Sequence, residues 1–436
     1  MSAPLGYGID FGTSNSAVAV AYPDHVEVLP IDGAPTLPSQ VYLHRAGREL
    51  AGEQAVRTFL RSGHERTVCA RCSLARYGWD TDCRQYRPAG GCNDARLLAG
   101  LKYELPKHGF TGTNSWAKDF PVPELVAVVL RRLKREADRH TGDDVRRLAL
   151  GHPVVFAGLD DGGLPLHRSQ AVAGQTTAIR RLEEAARAAG FEEVTMLAEP
   201  TAALLGEERS GTLELAVDFG GGTFDAAVMD AREGEARVTG LGGAGIGGEV
   251  LDGILFEGRI APALHLEALP SWLANGMRTP SSARLLLADP GLPSILDRVG
   301  GRAAAVARTI LLGGHAYDFY RGIERAKIAL SSCDEVTIAD PELDLEVPVR
   351  RAAFEAMIAP ELDQVFAAVD DALSAAGVGE DDIDRVLVTG GSSQIPAFRS
   401  RLVARFGERR LERRDAFTAV ALGLGAHART TWLAVA

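Results

Sequence analysis

Two stretches of the chain share one pattern of apolar and polar positions. Leu213 to Asp230 reads LELAVDFGGGTFDAAVMD, an apolar run into Asp218, three glycines, Thr223 and a second apolar run. Tyr7 to Ala21 reads YGIDFGTSNSAVAVA, with Asp10 in the place of Asp218. Each pattern predicts strand, tight turn and strand. Glycines uncover backbone N–H groups and let an anion approach closely, which suits phosphate oxygens. An Asp at the end of the first strand, beside such a turn, is placed to hold a metal that rides on phosphate.

Between and after these hairpins, short apolar runs alternate with helical spacing. The expected strands are Val26 to Leu29, 41–45, Arg147 to Gly151, Val194 to Leu197, Ala236 to Thr239 and Arg385 to Thr389. The expected helices are Glu53 to Arg61, Leu125 to Arg139, 167–189 before Gly190, a helix opened by Glu199-Pro200-Thr201, Glu249 to Arg259, Gly322 to Ser332, Phe354 to Ala375 and Thr418 to Ala428. Residues 63–121 read as irregular, and 263–322 as helix broken by Pro and Gly. The repeated opening hairpin followed by alternating strands and helices predicts two similar α/β lobes with a ligand cleft between them. Lobe I is expected over 1–198 with a Cys-rich insert at about 63–121. Lobe II is expected over 199–428 with a helical insert at about 260–322, and a tail over 429–436.

At 436 residues the chain is too long for one ordinary core. Its net charge of −11 argues against wholesale nucleic-acid binding. No apolar run approaches the roughly 18 residues of a membrane span, and the first strand begins too early for a signal peptide, so a cytoplasmic protein without membrane contact is expected.

Further motifs make the set specific. They are AEPTAALLG at Ala198 to Gly206, ERAKIALSS at Glu324 to Ser332 and VLVTGGSSQIP at Val386 to Pro396. With IDFGTSNS and VDFGGGTFD, in this order, the chain resembles the ATPase half of the heat shock protein 70 family. That family lies within the actin, hexokinase and sugar-kinase superfamily. The resemblance implies a two-lobed actin-like ATPase fold with duplicated ribonuclease-H-like lobes, ATP and Mg²⁺ as cofactors, slow ATP hydrolysis and a chaperone-like conformational switch read by a protein partner or client.

By matching motif positions, the resemblance implies that Asp10 and Asp218 approach Mg²⁺ through water. Backbone N–H groups of Gly12, Thr13 and Ser14 face one side of the phosphates, and those of Gly221, Gly222 and Thr223 the other. Asp225 resembles a second carboxylate near the metal, and Glu199 the residue that orients the attacking water. Lys102, in LLAGLKYEL, corresponds to a cation over the γ-phosphate. Glu324, Lys327 and Ser331 are matched to the ribose and adenine, with Gly390, Gly391 and Ser392 on the other side of the base. Gly248 belongs to IGGEVLD, which resembles the family's strand-to-helix turn beside the phosphates; the GxGxxG match of Gly243, Gly245 and Gly248 is read the same way, not as a dinucleotide fingerprint. Ile328 and Gln394 stand where many members stack two Arg side chains on adenine. Losing cation–π contacts of roughly 0.5–2 kcal/mol each implies weaker nucleotide binding. The plainer readings are a non-hydrolysing nucleotide-binding scaffold and an actin-like filament protein. Past Gln394 only a closing helix and the apolar tail TTWLAVA are expected, with no room for the family's peptide-binding domain.

Four of the five cysteines cluster as C-x2-C-x10-C-x8-C at Cys69, Cys72, Cys83 and Cys92. This fits a tetrahedral structural Zn²⁺ site. A thiol–disulfide pair and free thiols are the alternatives. Cys333, after a helix, is expected to be packed.

Overall fold

The computed structural model describes the whole chain except residues 1–2, 45, 63–94, 108–111, 116–117, 157–167, 206–210, 233–235, 287–290, 314, 415–417 and 435–436. Two five-strand arrays share one topology. In lobe I, β1 (Gly6–Phe11), β2 (Asn15–Ala21), β3 (Val26–Val28), β4 (Arg147–His152) and β5 (Glu193–Ala198) lie in the order β5-β4-β1-β2-β3, with Leu37–Pro38 pairing on β2. In lobe II, β6 (Leu213–Phe219), β7 (Phe224–Asp230), β8 (Arg237–Ala244), β9 (Arg385–Thr389) and β10 (Leu411–Arg413) lie in the order β8-β7-β6-β9-β10. Each sheet begins with an antiparallel meander of three strands and is extended by two parallel strands on the other side of its first strand. This is the pair of similar α/β lobes expected from the repeated hairpin, and it is consistent with the actin-like fold that the family resemblance implies.

Each lobe has its own apolar core. Ile9, Val18, Leu130 and Leu150 belong to one, and Val217, Phe224, Leu251 and Phe398 to the other. A third core joins the lobes and is built largely from small residues: Ala149, Ala202, Ala203, Ala216, Ala227 and Ala428, with Leu424 and Trp432. It is organised by α1 (Glu199–Leu205) and the last helix, here α5 (Ala419–Leu433). These helices cross so closely that a Cβ on Gly423 would lie 1.6 Å from the Ala202 carbonyl oxygen. Only glycine permits that approach.

The remaining labelled helices are α2 (Gly248–Leu255), α3 (Ala316–Leu330) and α4 (Ala359–Ala376). The helix expected over Glu249 to Arg259 is α up to Leu255 and then widens into a π turn at Phe256–Ile260. The helix expected from Phe354 to Ala375 is two, Arg351–Met357 and α4. Pro360 has no N–H to donate to the preceding turn, so the ladder restarts there. The last helix continues through the tail to Leu433 because Trp432 packs against Gly6.

Residues 63–121 are not irregular throughout. Ala95–Leu98 pairs with Val41–His44, which also pairs with Glu49–Ala51, and Gly112–Ser115 forms a hairpin with Lys118–Pro121. These pairings are non-local or lack clear alternation, which is why composition hid them. Cys333 is exposed, not packed; it follows the end of α3, where the chain turns outward into 334–335. Cys69, Cys72, Cys83 and Cys92 lie outside the described residues. Among the described residues no helix is long and apolar enough to cross a membrane.

Candidate functional site

The two hairpins meet face to face. Their turns have equal length but different residues: Gly12-Thr13-Ser14-Asn15 in lobe I and Gly220-Gly221-Gly222-Thr223 in lobe II. A Cβ on Gly221 would lie 2.8 Å from Ser14 Oγ, and one on Gly222 would lie 2.3 Å from Thr13 Oγ1. The glycines of one turn therefore make room for the hydroxyl side chains of the other. Within the first turn, Gly12 lies against the Asn15 carbonyl. Within the second, Gly220 N–H donates to the Thr223 carbonyl at 3.0 Å.

Behind the turns the carboxylates gather. Asp10 stands opposite Ala17 in its ladder, and Asp218 stands opposite Asp225. Glu199 opens α1, where an acid suits the helix N-terminus. Lys102 lies on a buried single turn, Leu101–Glu104, and its Nζ donates to Glu199 Oε1 at 2.6 Å; both side chains are about 6% exposed. Burial pushes the Asp10 carboxyl well above the usual carboxylate range, and the charges of Glu199 and Asp218 add to this. Asp218 is raised to about 7, first by burial and then by Glu199, against the pull of Lys102 and a hydrogen bond from Thr389. Asp225 is also raised well above its ordinary value by burial and then by Glu199. Burial alone would lower the Lys102 ammonium, but Glu199 and Asp10 outweigh it and hold the group above its ordinary value.

Asp225 also ties the lobes together. Its Oδ1 accepts from Val154 N–H at 2.6 Å and Val155 N–H at 3.4 Å, in the loop after β4, while its Oδ2 is buried without a partner among the described residues. Gln175 Nε2 donates to the Val154 carbonyl at 3.2 Å.

A second polar group sits against the lobe II hairpin. Gly248 and Glu249 N–H groups donate to the Gly220 and Gly221 carbonyls at 3.1 and 2.9 Å. Ser392 Oγ donates to the Gly220 carbonyl at 2.8 Å. Lys327 Nζ donates to the Gly248 carbonyl at 2.9 Å and to Asp252 Oδ2 at 2.8 Å. Burial raises Asp252 to about 7 although Lys327 pulls it down, and its Oδ1 is buried without a partner among the described residues. Gly390, at φ +82°, lies under the strand end: a Cβ there would meet the Phe219 carbonyl oxygen at 2.3 Å and Asp218 Oδ1 at 2.4 Å. Gly391 starts the short turn Gly391–Gln394. Glu324, on α3, pairs with Arg321 and contributes to the negative potential at Asp252. Ser331 caps the same helix, its N–H donating to the Ile328 carbonyl at 3.0 Å. Ile328 is 59% exposed.

Sequence reasoning missed Gly247, Asp252 and Thr389. A Cβ on Gly247 would lie 2.4 Å from backbone atoms of Gly222. The Gly247-Gly248 pair was its signal. Asp252 closes the IGGEVLD motif and Thr389 lies within VLVTGGSSQIP, but nothing in either motif singles these side chains out.

The residues fit a magnesium nucleotide. Two glycine-bearing turns close on each other, the carboxyls of Asp10, Asp218, Asp225 and Glu199 crowd around the single cation Lys102, and among the described residues Asp225 and Asp252 each keep a buried oxygen unpaired. Among the described residues no group of three or more His, Cys, Asp or Glu is placed to hold a metal alone. Such a donor set suits a cation that keeps its waters and shares phosphate oxygens.

The sequence matches the family described as Hsp70 protein over residues 6–261 and 318–430. The chain is 27% identical over 430 residues to a chaperone protein DnaK of Thermosipho melanesiensis, covering 95% of this chain and 57% of the relative. It is 28% identical over 415 residues to the DnaK of Thermosipho africanus, covering 92% and 55%. It is 26% identical over 407 residues to the stromal 70 kDa heat shock-related protein of Pisum sativum, a chloroplastic protein, covering 89% and 48%. The chain thus spans about half the length of the curated relatives it matches. With the matched family segments taking in both hairpins, α1 and most of α3 and of the closing helix, the chain belongs to the Hsp70 family.

Proposed function

We propose that this chain binds Mg-ATP between its two glycine hairpins, hydrolyses it slowly and passes the change in lobe closure to a protein partner or client, as a chaperone-type switch. The observation that carries this reading is the meeting of Thr13 and Ser14 with Gly222 and Gly221, directly in front of Asp10, Asp218, Glu199 and Lys102. Backbone N–H groups of Gly12, Thr13 and Ser14 bind one side of the phosphates, and those of Gly221, Gly222 and Thr223 bind the other. Asp10 and Asp218 would hold Mg²⁺ beside the phosphates. When bound, Mg²⁺ supplies neutralisation of the phosphate charge. Lys102 adds positive charge beside the terminal phosphate, and Glu199, held by Lys102, orients the attacking water. Phosphoryl transfer of this kind depends on positioning and charge neutralisation rather than on covalent chemistry. Glu324, Lys327 and Ser331 serve the ribose and adenine, with Gly248 and Gly390 to Ser392 closing around them. Ile328 offers the base an aliphatic surface instead of a guanidinium. Zinc at Cys69, Cys72, Cys83 and Cys92 is a separate proposal, answered by the metal content of the pure protein.

The test is single-turnover ATP hydrolysis by the wild type, Asp10→Ala and Glu199→Gln. The reading expects a slow, Mg²⁺-dependent rate that both substitutions abolish. Equal rates in all three chains would reject the catalytic assignment, and ATP binding without turnover in the wild type would leave a scaffold.

A further inference from the structure

The residue after Lys102 turns toward the opposite lobe. Tyr103 is 2% exposed, its hydroxyl donates to the Gly221 carbonyl at 3.5 Å, and the nearby negative charge of Glu249 helps to keep the phenol protonated after burial. The Gly221 carbonyl also accepts from Glu249 N–H at 2.9 Å, and Glu249 Oε1 accepts from Ser281 N–H at 3.0 Å. The phenol therefore reaches the point where the lobe II hairpin is pinned to the start of α2. One buried turn of lobe I, Leu101–Glu104, thus reaches Glu199 through Lys102 and Gly221 through Tyr103.

We propose that Tyr103 is a positioning residue of the cleft, a latch that ties lobe I to the lobe II hairpin and limits how fast nucleotide leaves. Packing alone does not require the hydroxyl, since a phenyl ring would fill the same buried space. Opening the lobes strips the hydroxyl from the Gly221 carbonyl, beside the Glu249 carboxylate. The inference rests on the ATP reading of the cleft.

The test is stopped-flow release of a fluorescent ADP analogue from the full chain in four forms: wild type, Tyr103→Phe, Glu249→Gln and the double variant. Tyr103→Phe is expected to release nucleotide about tenfold faster, with the single-turnover hydrolysis rate of bound ATP unchanged. Glu249→Gln is expected to accelerate release as well, and carries the test if Tyr103→Phe does not fold. The double variant is expected to be no faster than the faster single, because both lose one shared contact. Unchanged release in Tyr103→Phe, or accelerations that multiply, would overturn the latch while leaving the ATP reading intact. A wild-type chain that takes up no nucleotide overturns the ATP reading, and the latch with it.

Discussion

The two hairpins began as one pattern and differ where they touch. In lobe I the turn carries Thr13 and Ser14 and the second strand carries Ala17. In lobe II the same positions are Gly221, Gly222 and Asp225. Lobe I supplies side chains and lobe II supplies room for them. The lobe II turn is also far more heavily braced, by Gly248, Glu249, Ser392 and Tyr103. The lobe I turn is held mainly by the Ser39 N–H to the Ser14 carbonyl at 2.8 Å and by the Ser16–Ser39 hydroxyl pair at 2.7 Å. Lobe II thus presents the more braced turn, and its Asp225 accepts from the Val154 loop of lobe I.

The largest effect expected from breaking this arrangement is chemical. Asp10→Asn and Asp218→Asn keep the shape of each strand end but remove its charge. Each should lower single-turnover hydrolysis about a thousandfold, roughly 4 kcal/mol, by analogy with loss of a preorganised electrostatic group.

The next effect is on stability without ligand. Asp218 is held up to about 7 in the folded chain. Between about pH 4 and pH 7 the folded state therefore keeps a proton that the unfolded chain has released. Its contribution is full below about pH 4 and is lost as the pH rises through about 7. Urea denaturation of the wild type and Asp218→Asn should show the variant gaining on the order of 3 kcal/mol relative to wild type between those limits. A pH-independent difference would contradict the burial of that carboxylate.

A smaller effect tests the fit between the turns. Gly222→Ala puts a methyl group against Thr13, where overpacking costs about 1–3 kcal/mol. Nucleotide affinity by calorimetry should fall about tenfold, and Thr13→Ala in the same chain should restore part of it. Without any rescue, the turns do not close on each other as described. The smallest effect concerns the base. Ile328→Arg should strengthen ADP binding by about 0.5–2 kcal/mol if the aliphatic surface faces adenine. An unchanged affinity would remove Ile328 from the base site.

What the sequence made legible is what short-range pattern encodes. The β1–β2 and β6–β7 hairpins, α1 behind Glu199-Pro200 and the strand before Gly390 follow from alternation, turn glycines and a helix-start proline, all local signals. The duplication then implied facing lobes. What stayed hidden is long-range. Tyr103 reads as an ordinary core aromatic until the fold places its hydroxyl on Gly221. Asp252 ends the IGGEVLD motif without standing out in it, and matters because Lys327 arrives from another helix. The strand Ala95–Leu98 is fixed by pairing with Val41–His44, distant in the chain. Cys333 looked like a packed thiol because an apolar helix precedes it, but burial is decided by what comes to cover a residue.

One double-mutant cycle tests the central claim that both hairpins act on a single metal nucleotide. Single-turnover hydrolysis is measured for the wild type, Asp10→Asn, Asp218→Asn and the double variant. If both aspartates serve one site, the double variant should be about as slow as the slower single, since residues that act as a unit are grossly non-additive. Losses that multiply would mean that the two aspartates act independently, and would contradict a site shared between the hairpins.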